Sequence, residues 1–136
     1  MGDNEYGQDR RKFDRVKANF IVVYKVNRPI EVTIKINQRE ISALMLDLSE
    51  GGMALITKFD IPSFSFLIMN FTLMNTTALK EEDRIRTMDL EGDVRYNLTA
   101  PNSEHRLGIR FTKISQQDKE AIYKFVKSAR ESFKAK

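Results

Sequence analysis

The chain has 136 residues, 41% of them hydrophobic, with no cysteine and a formal net charge of +4. That length fits one domain able to bury a core without staples, and the lack of cysteine excludes disulfides, thiolate metal sites and a cysteine nucleophile. No apolar run is long enough to cross a bilayer as a helix, and the polar, acidic start does not read as a secretory signal, so a cytoplasmic protein without membrane insertion is expected.

Residues 1–9 (MGDNEYGQD) are small, polar and acidic and are expected to be a disordered tail, with the folded domain running from 10 to 136. Arg10-Arg11-Lys12-Phe13-Asp14-Arg15 then forms a focused basic patch. The β-branched, apolar segment Val16–Val26 reads as one strand, and Asn27-Arg28-Pro29 as its turn. Ile30–Ile36 alternates apolar at even positions and polar at odd, the pattern of a half-buried strand.

After a turn at Asn37-Gln38, Ile41–Leu48 reads as a strand ending at Asp47 and Ser49, and Met53–Thr57 as its continuation. Phe64–Leu73 is apolar on both faces, as in a long strand curving through a barrel wall, and Asn75–Asp83 is a polar loop. Thr87–Leu98 and His105–Phe111 are strands around a turn at Thr99–Ser103. The period then changes: Ser115-Gln116-Gln117-Asp118 resembles a capping box with Asp in place of Glu, and Ile122, Phe125, Val126, Ala129 and Phe133 follow at helical spacing. Six or seven short strands followed by one helix, about 116–133, predict an all-β fold with a C-terminal helix: a small antiparallel β-barrel capped by that helix.

The chemistry concentrates at Asp47-Leu48-Ser49-Glu50-Gly51-Gly52, read together with the arginine patch. Asp47 offers acceptor oxygens, Ser49 a donor and an acceptor, and Gly51 and Gly52 let a ligand approach the backbone. Arg10, Arg11 and Arg15 supply guanidinium groups that bind phosphate bidentately and stack on flat rings. A guanine nucleotide answers all of these: phosphates for the arginines, a plane for stacking, and an N1–H/N2–H₂ edge for the carboxylate.

Arg11-x-x-x-Arg15 followed by Asp47-x-Ser49-x-x-Gly52 resembles the two-part signature of PilZ domains, bacterial receptors for cyclic di-GMP. Leu107-Gly108-Ile109-Arg110-Phe111 resembles the family's last strand, and the likeness extends from about Arg10 to about Phe133. The resemblance implies a non-enzymatic receptor or adaptor that binds cyclic di-GMP through Arg11, Arg15, Asp47, Ser49 and Gly52. Beside the motif, the added charge of Arg10 is expected to favour a stacked pair of ligands over one, and the Gly51 and Gly52 amides to form a small anion nest. Ligand would order the N-terminal arm and alter contacts with an unidentified effector protein. It also implies second-messenger signalling of the motility or biofilm kind, without choosing the process, and a monomer or weak dimer.

A PilZ-like interaction module without ligand response and a small-barrel nucleic-acid binder are the alternatives. The modest charge and the lack of interleaved aromatic and basic residues argue against DNA or RNA. No nucleophile–base pair, metal set or cofactor motif is present, so no enzyme and no cofactor are expected. His105 reads as structural, Glu81-Glu82-Asp83 as a solvated tip, and Met45, Met53, Met69, Met74 and Met88 as core filler. Arg95 and Arg110 read equally as ligand contacts and as outward solubilising charges.

Overall fold

The computed structural model describes residues 14–135, with side chains through Glu131. Six antiparallel strands close into a ring: β2 (Ile21–Arg28), β3 (Ile41–Ser49), β4 (Gly52–Thr57), β5 (Phe66–Met74), β6 (Ile85–Thr99) and β7 (His105–Lys113). Their order around the ring is β3-β2-β5-β6-β7-β4, and pairing of β3 with β4 shuts it. A two-residue strand, β1 (Val16–Lys17), lies outside the ring against β3. Closure satisfies the ladder on both edges of every ring strand. The barrel with a C-terminal helix agrees with the sequence reading, with six strands in the wall and the seventh beside it.

Alternation decides what fills the ring. On β5 the odd residues Leu67, Met69, Phe71 and Leu73 point in, and β6 adds Met88, Leu90 and Val94. Each large side chain removed from water contributes roughly 1.5–3 kcal/mol before conformational entropy is set against it. Of the five methionines expected in the core, Met45, Met53, Met69 and Met88 are buried, whereas Met74, at the end of β5, is 51% exposed. One polar pair lies inside: Tyr24 Oη and the Thr57 hydroxyl are 2.8 Å apart and share a hydrogen bond.

Two expectations are corrected. Val16–Val26 is not one strand: β1 pairs Val16 and Lys17 with Leu48 and Asp47, and β2 resumes at Ile21 opposite Leu44. Between them Ala18 is buried and the Phe20 ring turns to Phe125, with ring centroids 5.5 Å apart. The chain stays tied to β3 across the break, the Ala18 amide donating to the Leu46 carbonyl at 3.0 Å and the Phe20 carbonyl accepting the Met45 amide at 2.9 Å, and the register shifts by one residue.

Ile30–Ile36 is not a strand either; Ile30–Lys35 is a helix, α1. Strands β2 and β3 pair directly with each other, so the segment joining them has no free edge to extend, and a helix satisfies its backbone internally. The period-2 pattern over so short a run also reads as i, i+4 pairs. Val32 and Ile36 enter the core, while Ile30 and Ile34 are 65% and 61% exposed. The Pro29 carbonyl accepts the first amides, from Val32 and Thr33.

The last element, α2 (Gln116–Ala135), packs on β3 and β1. Ile122 and Val126 join the core, and Phe125 packs against it; the Phe133 side chain lies outside the described part. The Ser115 hydroxyl accepts the Asp118 amide at 3.1 Å, one half of the expected capping box. The Asp118 carboxylate instead receives Arg86 Nε at 2.7 Å. No helix is long and apolar enough to cross a membrane among the described residues.

Candidate functional site

The register places three rows across four neighbouring strands. One runs Ser49–Gly52–Arg110–Asp93, the next Asp47–Ala54–Gly108–Tyr96, and the third Leu44–Ile56–Arg106–Leu98. Gly52 in the first row and Ala54 and Gly108 in the second are small, and charged side chains stand around them. The result is a ledge on the barrel wall rather than a cavity. Beyond the third row, Leu44 and Ile56 continue into an open groove of about 480 Å³ that Ile21, Ala43 and Phe59 also line.

Asp47 is the hub. Its Oδ1 accepts the Ala54 amide and Arg15 Nη1, each at 3.2 Å, and its Oδ2 accepts Arg106 Nη2 at 3.2 Å. The amide fixes the carboxylate against the wall, and the two guanidinium groups lie over it from opposite ends of the sequence. Arg15 reaches it because β1 pairs Lys17 with Asp47. The carboxylate expected to accept a guanine edge thus already holds two arginines.

Ser49 serves its own turn. Its hydroxyl accepts the amides of Gly51 and Gly52 at 3.2 Å and donates to the Gly52 carbonyl at 3.3 Å. Gly51 is tied across to β7, its carbonyl accepting the Phe111 amide at 2.9 Å. Gly52 is dictated by close approach: a Cβ there would stand 2.0 Å from the Ile109 carbonyl oxygen. At Gly108 the intruder is a side chain, because the Tyr96 ring lies where a Cβ would be.

Of the sequence-derived site residues, Arg15, Asp47, Ser49, Gly51 and Gly52 come together at one end of the ledge, while Arg10 and Arg11 lie outside the described residues. Arg95 and Arg110 both face Asp93, at 3.7 Å and 3.0 Å. Asp93 is only 5% exposed, and its Oδ1 is buried with no hydrogen-bond partner. Four guanidinium groups thus meet two carboxylates on one face, an arrangement suited to an anion with a planar ring. Among the described residues no cluster of three His, Cys, Asp or Glu side chains stands ready for a metal. His105 Nδ1 lies 3.0 Å from Asn97 Oδ1.

The PilZ domain family model matches residues 9–128. The chain belongs to the PilZ domain family. Solved PilZ proteins share its fold. The Bacillus subtilis inhibitor of motility MotI/DgrA superposes with a TM-score of 0.70 at 20% identity, over 90% of this chain and 52% of that one. The PilZ domain of Escherichia coli YcgR with c-di-GMP superposes at 0.54 and 16% identity, over 92% of this chain and 98% of that one. Borreliella burgdorferi PlzA in complex with c-di-GMP gives 0.57 and 19%, over 91% and 44%. The chain thus spans about half the length of MotI/DgrA. No curated protein matches it in sequence.

Three residues of this PilZ domain's ledge were missed by the sequence reading: Arg106, Asp93 and Tyr96. Arg106, Gly108 and Arg110 at alternate positions mark one face of a strand, a signal present in the sequence. That this face adjoins Asp47 follows only from the pairing of β4 with β7.

Proposed function

We propose that this PilZ domain is a non-enzymatic receptor for cyclic di-GMP, acting in the cytoplasm as an adaptor toward an effector protein. The observation that carries the reading is the meeting of Arg15, Arg106 and Asp47 beside the Ser49–Gly52 turn. A guanine laid on the small-residue ledge would offer N1–H and N2–H₂ to Asp47. The displaced guanidinium groups would move onto the phosphates and the ring face, where cation–π contact is worth about 0.5–2 kcal/mol. Arg10 and Arg11 would close from the arm that precedes β1. The E. coli and Borreliella neighbours, solved with c-di-GMP, support the ligand class.

The signal would be ordering of the arm. Asp14, inside the arginine motif, is bonded by Arg130 of α2, and Phe20 packs on Phe125 of the same helix. Ligand drawing on the arm thus has a route to the C-terminal helix, and the altered surface would be what the effector reads. If so, amide hydrogen exchange at residues 10–17 slows when cyclic di-GMP is added; unchanged exchange there refutes the arm mechanism.

The engaged state of Asp47 favours one competing reading, an interaction module whose own arginines have replaced the ligand. Melting with cyclic di-GMP, GTP and a short single-stranded oligonucleotide separates the possibilities. At about a hundred times its Kd, a ligand adds about 2.7 kcal/mol of apparent stability. The receptor reading requires a rise with the cyclic dinucleotide alone, abolished by Asp47→Ala. A rise with none favours the interaction module, and a rise with the oligonucleotide favours a nucleic-acid binder. Calorimetry on the same sample gives the stoichiometry: two ligands per chain if Arg10 recruits a stacked pair, one if it does not. Sedimentation of that sample tests the expected monomer or weak dimer.

A further inference from the structure

Asp93 is a buried carboxylate at the ledge for which the receptor reading supplies no task. It faces the ledge side of β6, in the row Ser49–Gly52–Arg110–Asp93. Its Oδ2 accepts Arg110 Nη2 at 3.0 Å, and Arg95 Nη1 stands 3.7 Å away. Its Oδ1 is the one buried side-chain polar atom without a hydrogen-bond partner among the described residues. An acceptor left so carries a desolvation penalty, and an N–H donor arriving at the ledge would remove it.

The two carboxylates are arranged alike. Asp47 lies under Arg15 and Arg106, and Asp93 under Arg110 and Arg95. They are three strand steps apart, about 14 Å across the sheet at about 4.8 Å per step, with Gly52, Ala54 and Gly108 between them and the Tyr96 ring lying on Gly108. A ligand with a purine at each end and anionic phosphates in the middle matches that spacing. Its bases reach the carboxylates while its phosphates meet the guanidinium groups.

We propose that Asp93 reads the second guanine of the dinucleotide, so that the protein requires guanine at both positions. The assignment rests on the receptor reading of the Asp47 site. Guanine offers an N1–H/N2–H₂ donor pair to a carboxylate. Adenine presents an unprotonated N1 at the matching place, sets acceptor against acceptor, and leaves Oδ1 unsatisfied. A site built to hydrogen-bond a donor rejects the analogue that lacks it.

The test compares Kd for cyclic di-GMP and 3′,3′-cyclic GMP–AMP, by calorimetry on the full chain, for wild type, Asp93→Asn, Asp93→Glu and Asp47→Ala. The mixed dinucleotide can still give its guanine to Asp47. Wild type should favour cyclic di-GMP by at least about tenfold, Asp93→Asn should bring the ratio to within about threefold, and Asp93→Glu should keep part of the preference. The ratio is the readout because removing the Asp93 charge frees Arg110 for the phosphates of both ligands alike.

An Asp93→Asn protein with the wild-type ratio overturns the assignment, because a carboxylate that only steadies Arg110 would shift both affinities together. The wild-type comparison needs no variant to fold, and equal affinities there also overturn it. Binding of both ligands that is lost in Asp47→Ala keeps the receptor reading whichever way the ratio falls. Binding of neither ligand sinks that reading, and the role of Asp93 with it.

Discussion

At the residue scale the ledge separates side chains that present chemistry from those that make room for it. Asp47 and Asp93 each hold guanidinium groups, whereas Ser49, Gly51 and Gly52 shape the turn beside them. The glycine of the Asp–Ser–Gly motif is explained by packing alone, since the Ile109 carbonyl leaves no volume for a methyl group. Gly52→Ala should therefore destabilise by about 1–3 kcal/mol or more, because the obstructing atom is backbone. Gly108→Ala should cost less, since the outer part of the Tyr96 ring can swing away. Urea midpoints at unchanged slope measure both, and equal losses would mean that the β4–β7 approach is not as tight as the structure has it. The need for glycine at a turn is legible in a sequence. The identity of the atom that forbids anything larger is not, because Ile109 reaches Gly52 through the closure of the barrel.

At the element scale, β1 and α2 connect the ledge to the rest of the molecule. The two-residue strand β1 lies outside the ring, yet its register sets Arg15 on Asp47. Helix α2 covers β1 and β3, and its first turn is held twice: Ser115 caps the Asp118 amide, and Arg86 of β6 bonds the Asp118 carboxylate. Ser115→Ala removes an N-cap and should cost roughly 0.5–2 kcal/mol. The loss should appear as a lower urea midpoint and faster exchange of the first-turn amides, and a neutral substitution would show that Arg86 alone holds this end. The helix itself was legible from its apolar spacing. The helix α1 was not, because seven alternating residues fit a strand and a short helix equally, and only the direct pairing of β2 with β3 removes the edge a strand would need.

At the scale of the whole molecule, the closed ring isolates one titratable group from water. Tyr24 is fully buried, and that burial raises its pKa above the ordinary 10.0, with the Thr57 hydrogen bond offsetting part of the shift. The folded state then holds a proton that the unfolded chain releases near pH 10. The stability linked to this group is present below that pH and is lost as pH rises through the higher folded value. Wild type should lose stability more steeply than Tyr24→Phe as pH rises above about 10. At neutral pH the variant should be about 1 kcal/mol less stable, because the Thr57 hydroxyl loses its partner. Parallel stability curves for the two proteins above pH 10 would show that water reaches the ring interior.

Local pattern alone was enough to determine a small antiparallel barrel, a C-terminal helix, and a guanidinium patch paired with an Asp–Ser–Gly turn. Alternation, turn chemistry and helical spacing act between residues close in the chain. Tertiary structure decided which strands became neighbours. It brought Arg106 to Asp47, set Asp93 and Arg110 on the same ledge, left β1 outside the ring, and turned a strand-like run into α1. Strand pairing joins residues far apart in the chain, and no pattern within a single strand specifies its partner.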